Sequence, residues 1–260
     1  MPEGDVVWRT ARQLDDALSG RVLARSDFRV PRYATTDLTG RTVTETVSYG
    51  KHLLTRVEGD VTVHTHLKMD GSWRISAAAA RPMRDHRIRL ILANTQWQAV
   101  GMLLGIVEVI RTSREEAAVG HLGPDLLSPE FDADEAVRRL RADPACTIGE
   151  ALLDQRNLAG IGTIYRAETL VLRGVSPWRP VGEVPDLPGL VGLARRLLDA
   201  NSGRAGGTVT TGNPARSGRL WVYGRAGQPC RRCGATIRRA SLGSVPEERL
   251  AVWCPRCQPA

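Results

Sequence analysis

Two cysteine pairs near the end of the chain constrain its fold more than any other feature. Cys230-Arg-Arg-Cys233 and Cys254-Pro-Arg-Cys257 stand twenty residues apart, the layout of a zinc ribbon with two knuckles on a β-hairpin. Each pair lets both thiolates reach one ion, and four soft thiolates in a tetrahedron select Zn²⁺. The last forty residues hold too few apolar side chains for a core of their own, so a single structural zinc is expected to replace one. A redox dithiol is the rival reading, and the matched second pair argues against it. Cys146 stands apart and reads as a small core residue. Arg231, Arg232, Arg238, Arg239, Arg249 and Arg256 crowd the same segment. A stiff hairpin lined with arginines suits phosphate contact.

Charge points the same way. The 260 residues carry 36 Lys+Arg against 28 Asp+Glu, a formal net charge of +8, which favours a polyanionic partner. Most of the cations are arginine, and the two lysines are Lys51 and Lys68. No 18-residue apolar run exists, so no membrane span is expected. The first residues, MPEGDVVWRTARQLDD, are charged and lack an apolar signal core, so a cytoplasmic, nucleoid-associated monomer is expected.

Patterning divides the chain in three. Val6 to Ser19 reads as an amphipathic helix stopped by Gly20. From Arg21 to Arg111, short β-branched segments such as TVTETVSYG and HRIRLILAN alternate with Gly, Asp and Asn turns, the texture of an antiparallel sandwich or barrel. TSREEAAVGHLGPDLLSPE is polar and turn-rich and holds the domain boundary. Helices are expected over Asp132–Arg141, Ile148–Leu158, Thr163–Arg173 and Leu187–Ala200, with a Gly/Thr/Arg-rich loop over Asn201–Arg219. The expected fold is therefore multi-domain α+β. An N-terminal helix and β-sandwich span 1–112, a helical domain spans 123–220, and the zinc-ribbon hairpin spans 221–260.

Gly160-Ile161-Gly162 falls immediately before the helix that starts at Thr163. Exposed backbone N–H groups and the helix dipole there favour an anion, and glycine lets a phosphate approach closely. The surrounding DQRNLAGIGTIYRAE resembles the helix–two-turn–helix element of the formamidopyrimidine-DNA glycosylase / endonuclease VIII family. VYGRAGQPCRRCGATIRR and WCPRCQ resemble that family's zinc finger. MPEG, SYGKHLL, HLKMDGSW and LGPDLL match as well, in the family's order, so the resemblance covers nearly the whole chain.

The resemblance implies a DNA glycosylase with strand-nicking lyase activity, acting on damaged DNA lying between the domains. Met1 is removed and the amine of Pro2 attacks the sugar. A secondary amine suits this, because the product is a cationic iminium that draws electrons for β- and δ-elimination. A terminal amine titrates near 8, and the positive end of the following helix is expected to lower that further. Glu3 is the implied general acid/base, and Lys51 the implied activity-supporting cation. Met69 matches a wedge inserted where the target nucleotide leaves the stack. His86, Asn157, Gly162, Thr163 and Arg249 match DNA-contacting positions.

Three departures bear on substrate. The purine-specific branch carries an Arg and a Phe near residues 99–104, where this chain reads AVGMLL. Thr163 replaces a phosphate-binding Asn, and Val6 replaces a Glu. The loop 206–219 also lacks the full pattern of the purine branch. The endonuclease VIII-like branch, with oxidised pyrimidines favoured, is therefore expected. The alternatives are an oxidised-purine glycosylase and a catalytically weak damaged-DNA binding protein.

Overall fold

The computed structural model describes residues 2–79, 85–245 and 248–259; Met1, whose removal the sequence leads one to expect, lies outside them. The chain divides into two compact units, Met1–His121 and Leu122–Ala260.

The first unit opens with helix α1 (Gly4–Leu18). Strands β1 (Arg21–Val22), β2 (Arg25–Phe28), β3 (Thr42–Tyr49), β4 (His52–Val57), β5 (Val61–His66), β6 (Ser72–Ala77), β7 (Ile88–Ala93), β8 (Trp97–Met102) and β9 (Ile106–Ile110) follow. They form a five-stranded sheet, β1-β3-β4-β5-β9, and a four-stranded sheet, β2-β7-β8-β6, with every pairing antiparallel. Alternation places Leu53, Val57, Val63 and Val107 on one face of the larger sheet. They share a core with Leu90, Leu92 and Ala99 of the smaller sheet and Val7, Leu14 and Leu18 of α1. Burial of these aliphatic side chains is the main driving term, roughly 1.5–3 kcal/mol for each large one. A short helix, α2 (Glu116–Val119), closes the unit.

The second unit holds α3 (Ala133–Arg141), α4 (Ile148–Ala151), α5 (Thr163–Arg173), α6 (Leu187–Ser202) and a hairpin of β10 (Arg238–Leu242) and β11 (Arg249–Trp253). Asp132 caps α3, Thr147 caps α4 and Asp186 caps α6, each side chain accepting a backbone N–H, as short polar residues do at helix starts. The helix expected over Ile148–Leu158 stops at Ala151. Turns replace it because Asp154, Gln155 and Asn157 bond locally to backbone groups, in competition with the helical ladder. Cys146 is half-buried at the margin of the helical core rather than inside it. The zinc segment shares its core with α5: Ala167 and Val171 pack with Val222, Ile237, Val252 and the cysteines Cys230 and Cys254. Among the described residues no helix is long and apolar enough to cross a membrane.

Candidate active site and nucleic-acid contacts

In the first unit the site begins at the chain start. Pro2 is half-buried and precedes Glu3, which is buried in an extended conformation as the N-cap of α1. The Glu3 carbonyl accepts the N–H groups of Val6 (3.0 Å) and Val7 (3.1 Å), so the first turn of α1 fixes where Pro2 emerges. The second component is Lys51, in the tight turn between β3 and β4 at Gly50-Lys51. Gly50 adopts φ +57 there, which glycine takes at little cost. Lys51 is half-buried. Burial pushes its ammonium below the ordinary lysine range, and the nearby Glu3 carboxylate pulls it back up. A buried carboxylate and a partly desolvated ammonium thus stand next to the first residues of the chain, an arrangement fit for proton transfer.

Met69 sits at the apex of the β5–β6 turn with 61% of its surface exposed, where an apolar side chain has no folding role. His86 is also solvent-facing, its ring 3.8 Å from Asp85. The segment 99–104 is mostly strand: Ala99, Val100 and Met102 are buried in β8, and only Leu103 points outward, in a left-handed conformation at φ +48.

In the second unit the LGPDLL segment explains its own resemblance. Gly123 passes so close to the 155–157 turn that a Cβ would fall 2.4 Å from the Asn157 carbonyl oxygen. Gln155 staples the turn, donating to the carbonyls of Leu153 (2.8 Å) and Ile161 (3.0 Å). Asn157 donates its side-chain amide to the Ala151 carbonyl at 2.9 Å, capping α4; an amide nitrogen carries a second hydrogen. Gly162 is the extended N-cap of α5 and Thr163 its first residue. Arg249 opens β11 and is exposed.

Two buried charges tie these groups together, and sequence reasoning missed both. Arg166 of α5 donates to the carbonyls of Gly149 (3.3 Å) and Leu250 (2.5 Å), which sets the strand bearing Arg249 against α5. Glu168, fully buried, accepts the N–H groups of Trp221 (2.7 Å), Val222 (2.9 Å) and Tyr223 (2.9 Å) and the hydroxyl of Thr210. Both were visible within YRAE as charges on an otherwise apolar helix.

The four cysteines offer one sulfur each, all within 4.8 Å of one another. The separations Cys233–Cys254 (3.5 Å) and Cys230–Cys257 (3.9 Å) bracket the roughly 3.8 Å edge of a tetrahedron with Zn–S bonds of about 2.3 Å. The donor set fits one structural zinc.

These parts define a class: a two-unit α+β protein with an N-terminal helix and β-sandwich, a glycine-capped helix junction and a four-cysteine hairpin whose donor set fits zinc. Comparison with known proteins makes it specific. Residues 1–100 match the formamidopyrimidine-DNA glycosylase N-terminal domain, 122–186 its H2TH domain, and 227–260 the zinc finger found in FPG and IleRS. The chain is 56% identical to "Probable endonuclease 8 2" of Streptomyces coelicolor, over 99% of this chain and 94% of that one. It is 46% identical to "DNA-(apurinic or apyrimidinic site) lyase Nei2" of Mycolicibacterium smegmatis, over the full length of both. A crystal structure of Lactococcus lactis Fpg (MutM) with N7-benzyl-Fapy-dG-containing DNA superposes with a TM-score of 0.84 over the whole of both chains, at 24% identity, which supports the fold. The chain belongs to the formamidopyrimidine-DNA glycosylase / endonuclease VIII family of DNA-repair glycosylases and lyases.

Proposed function

We propose that this protein, acting on chromosomal DNA as a monomer, excises oxidised bases, pyrimidines in preference to purines, and then nicks the strand. The observation that carries the reading is the buried Glu3 carboxylate, which follows Pro2 in the chain and acts electrostatically on the half-buried Lys51 ammonium. After loss of Met1, the Pro2 nitrogen forms a bond to C1′ of the damaged nucleotide. The N-glycosidic bond breaks and the base leaves with its electron pair and a proton. Glu3 protonates the ring oxygen as the sugar opens, and the Pro2 nitrogen, having lost its hydrogen, becomes an iminium. Loss of a proton from C2′ then expels the 3′ phosphate, and a second elimination expels the 5′ phosphate. Lys51 supplies positive charge and a proton near these oxygens. Met69 fills the gap left by the extruded nucleotide. His86, Asn157, Gly162, Thr163 and Arg249 hold phosphates, and the zinc, bound by Cys230, Cys233, Cys254 and Cys257, keeps the hairpin stiff. The lack of an Arg and a Phe in 99–104 supports the pyrimidine preference, and the relatives named endonuclease 8 and Nei2 support the endonuclease VIII-like branch.

Borohydride trapping tests this reading. Wild-type protein is expected to cross-link to an abasic-site oligonucleotide and to duplexes carrying thymine glycol more readily than to 8-oxoguanine duplexes. P2G and E3Q are expected to lose trapping on the base-containing duplexes. Trapping of P2G at wild-type levels on thymine glycol would overturn the assignment of the nucleophile.

A further inference from the structure

Three of the chain's five histidines, His52, His64 and His66, lie in a row on the outer face of the five-stranded sheet and take no part in the chemistry above. We infer that His66 is a positioning residue: its ring nitrogen Nδ1 presets the turn that presents Met69. The inference rests on the reading of Met69 as the wedge.

His66 ends β5, and the backbone N–H of Lys68 donates to its Nδ1 at 2.8 Å. The ring thereby does what an aspartate or asparagine oxygen does when it accepts the N–H two residues on. Lys68 needs such a partner because it adopts φ +52, a left-handed conformation unfavourable to any residue with a Cβ. The rest of the turn is closed as tightly. The N–H of Gly71 bonds the Leu67 carbonyl at 2.9 Å, and a Cβ on Gly71 would fall 2.3 Å from that oxygen. On the far side the N–H of Gly105 bonds the His66 carbonyl at 2.9 Å, and a Cβ there would lie 2.3 Å from Cγ of Lys68. Met69 is the middle one of the three exposed residues, Lys68, Met69 and Asp70, held by this clamp. A wedge already in place spends none of its contact energy on ordering itself, which is the advantage of preorganisation.

Nδ1 of His66 can accept only while it carries a lone pair, and its burial secures that. The Glu108 carboxylate accepts from Nδ1 of His64 at 3.0 Å. Nε2 of His64 lies 2.8 Å from Nδ1 of His52, a pair in which one ring nitrogen donates and the other accepts. His52 stacks on His64, with ring centroids 5.1 Å apart, and meets His66 edge-on at 4.8 Å. Burial, reinforced by the Lys68 and Lys51 ammonium groups, holds His66 down at about 4, so it stays neutral throughout the cytosolic range.

The test compares H66N and H66F. Asparagine places its oxygen where Nδ1 stands and keeps the acceptor; phenylalanine keeps the ring and removes it. Excision of thymine glycol from duplex, lyase activity on a single-stranded abasic oligonucleotide, and 2-aminopurine fluorescence beside the lesion are measured with the full-length zinc-loaded protein. H66N is expected to stay within about threefold of wild type, and H66F to lose about tenfold or more in kcat/KM on duplex together with the fluorescence rise, since small misplacements are costly. The H66F effect is confined to the duplex. If H66F does not fold, H66Q, whose oxygen lies one bond too far out, takes its place. Equal losses in H66N and H66F, no loss in H66F, or a parallel loss on single strands would each overturn the inference. M69A separates the two readings: if it excises from duplex and opens it as wild type does, the wedge assignment fails. If M69A is impaired and H66F is not, only the role of His66 fails.

Discussion

In the first unit a hydrogen-bonded set of polar side chains spreads over one face of a sheet; in the second, two buried charges that tie distant segments together sit on a single helix. Across β3, β4, β5, β9 and the start of α2, Glu45–Arg56–Glu115–Thr62 and Glu108–His64–His52 form two hydrogen-bonded chains, and all members but Glu115 sit on strands that an aliphatic core already holds in place. In the second unit, Arg166 and Glu168, two residues apart on α5, carry the connection to β11 and to residues 221–223. The zinc segment, with a small core shared with that helix, depends on them and on the metal. A distributed network tolerates the loss of one member, whereas a concentrated one does not.

Four experiments can break or sharpen that contrast. The largest effect is expected at the chain start: P2G should lower single-turnover excision of thymine glycol roughly a thousandfold or more, while DNA affinity measured by anisotropy changes little. Zinc removal or C254S should do the reverse, lowering DNA affinity by about a hundredfold because metal binding is folding energy for such a hairpin. Amide exchange should show β4 and β5 still protected; loss of protection there would erase the distinction between the units. E168A is expected to destabilise the second unit by about 3 kcal/mol in thermal melting, because three backbone N–H groups lose their acceptor in a dry site. E45A, removing one exposed member of the sheet network, should cost under about 1 kcal/mol.

A further effect is the dependence on pH. His52 and His66 are held down at about 3 and about 4, in each case by burial first, so the folded state leaves them neutral where the unfolded chain takes up protons near 6.5. The unfolded state then binds more protons, and the stability of the first unit falls as pH drops from about 6.5 towards 4. The slope is at most about 1.4 kcal/mol per pH unit for each histidine. Urea melts at successive pH values read this slope, and H52F should flatten it.

Much of this was legible in the chain. The sandwich showed in the period-2 strands, and the zinc set in cysteine spacing alone. The short α4 did not, because Ile148 to Leu158 has helical apolar spacing while its outcome turns on Gln155 and Asn157 bonding to backbone groups several residues away. The histidine row was half legible: His64 and His66 share a face by alternation, but His52 joins them only through the β4–β5 register. Likewise Arg166 and Glu168 were plain as charges on an apolar helix, yet their partners lie 84 and 53–55 residues further on, a distance no local pattern reports.

The placing of Arg166 and Glu168 on one helix has a consequence for transplanting parts between relatives. A hairpin moved alone into another scaffold would arrive without the guanidinium that seats its second strand or the carboxylate that gathers the backbone leading into it. The smallest exchangeable module runs from Gly162 through Gln258, because α5 and the cysteine hairpin share one core and are one mechanical piece.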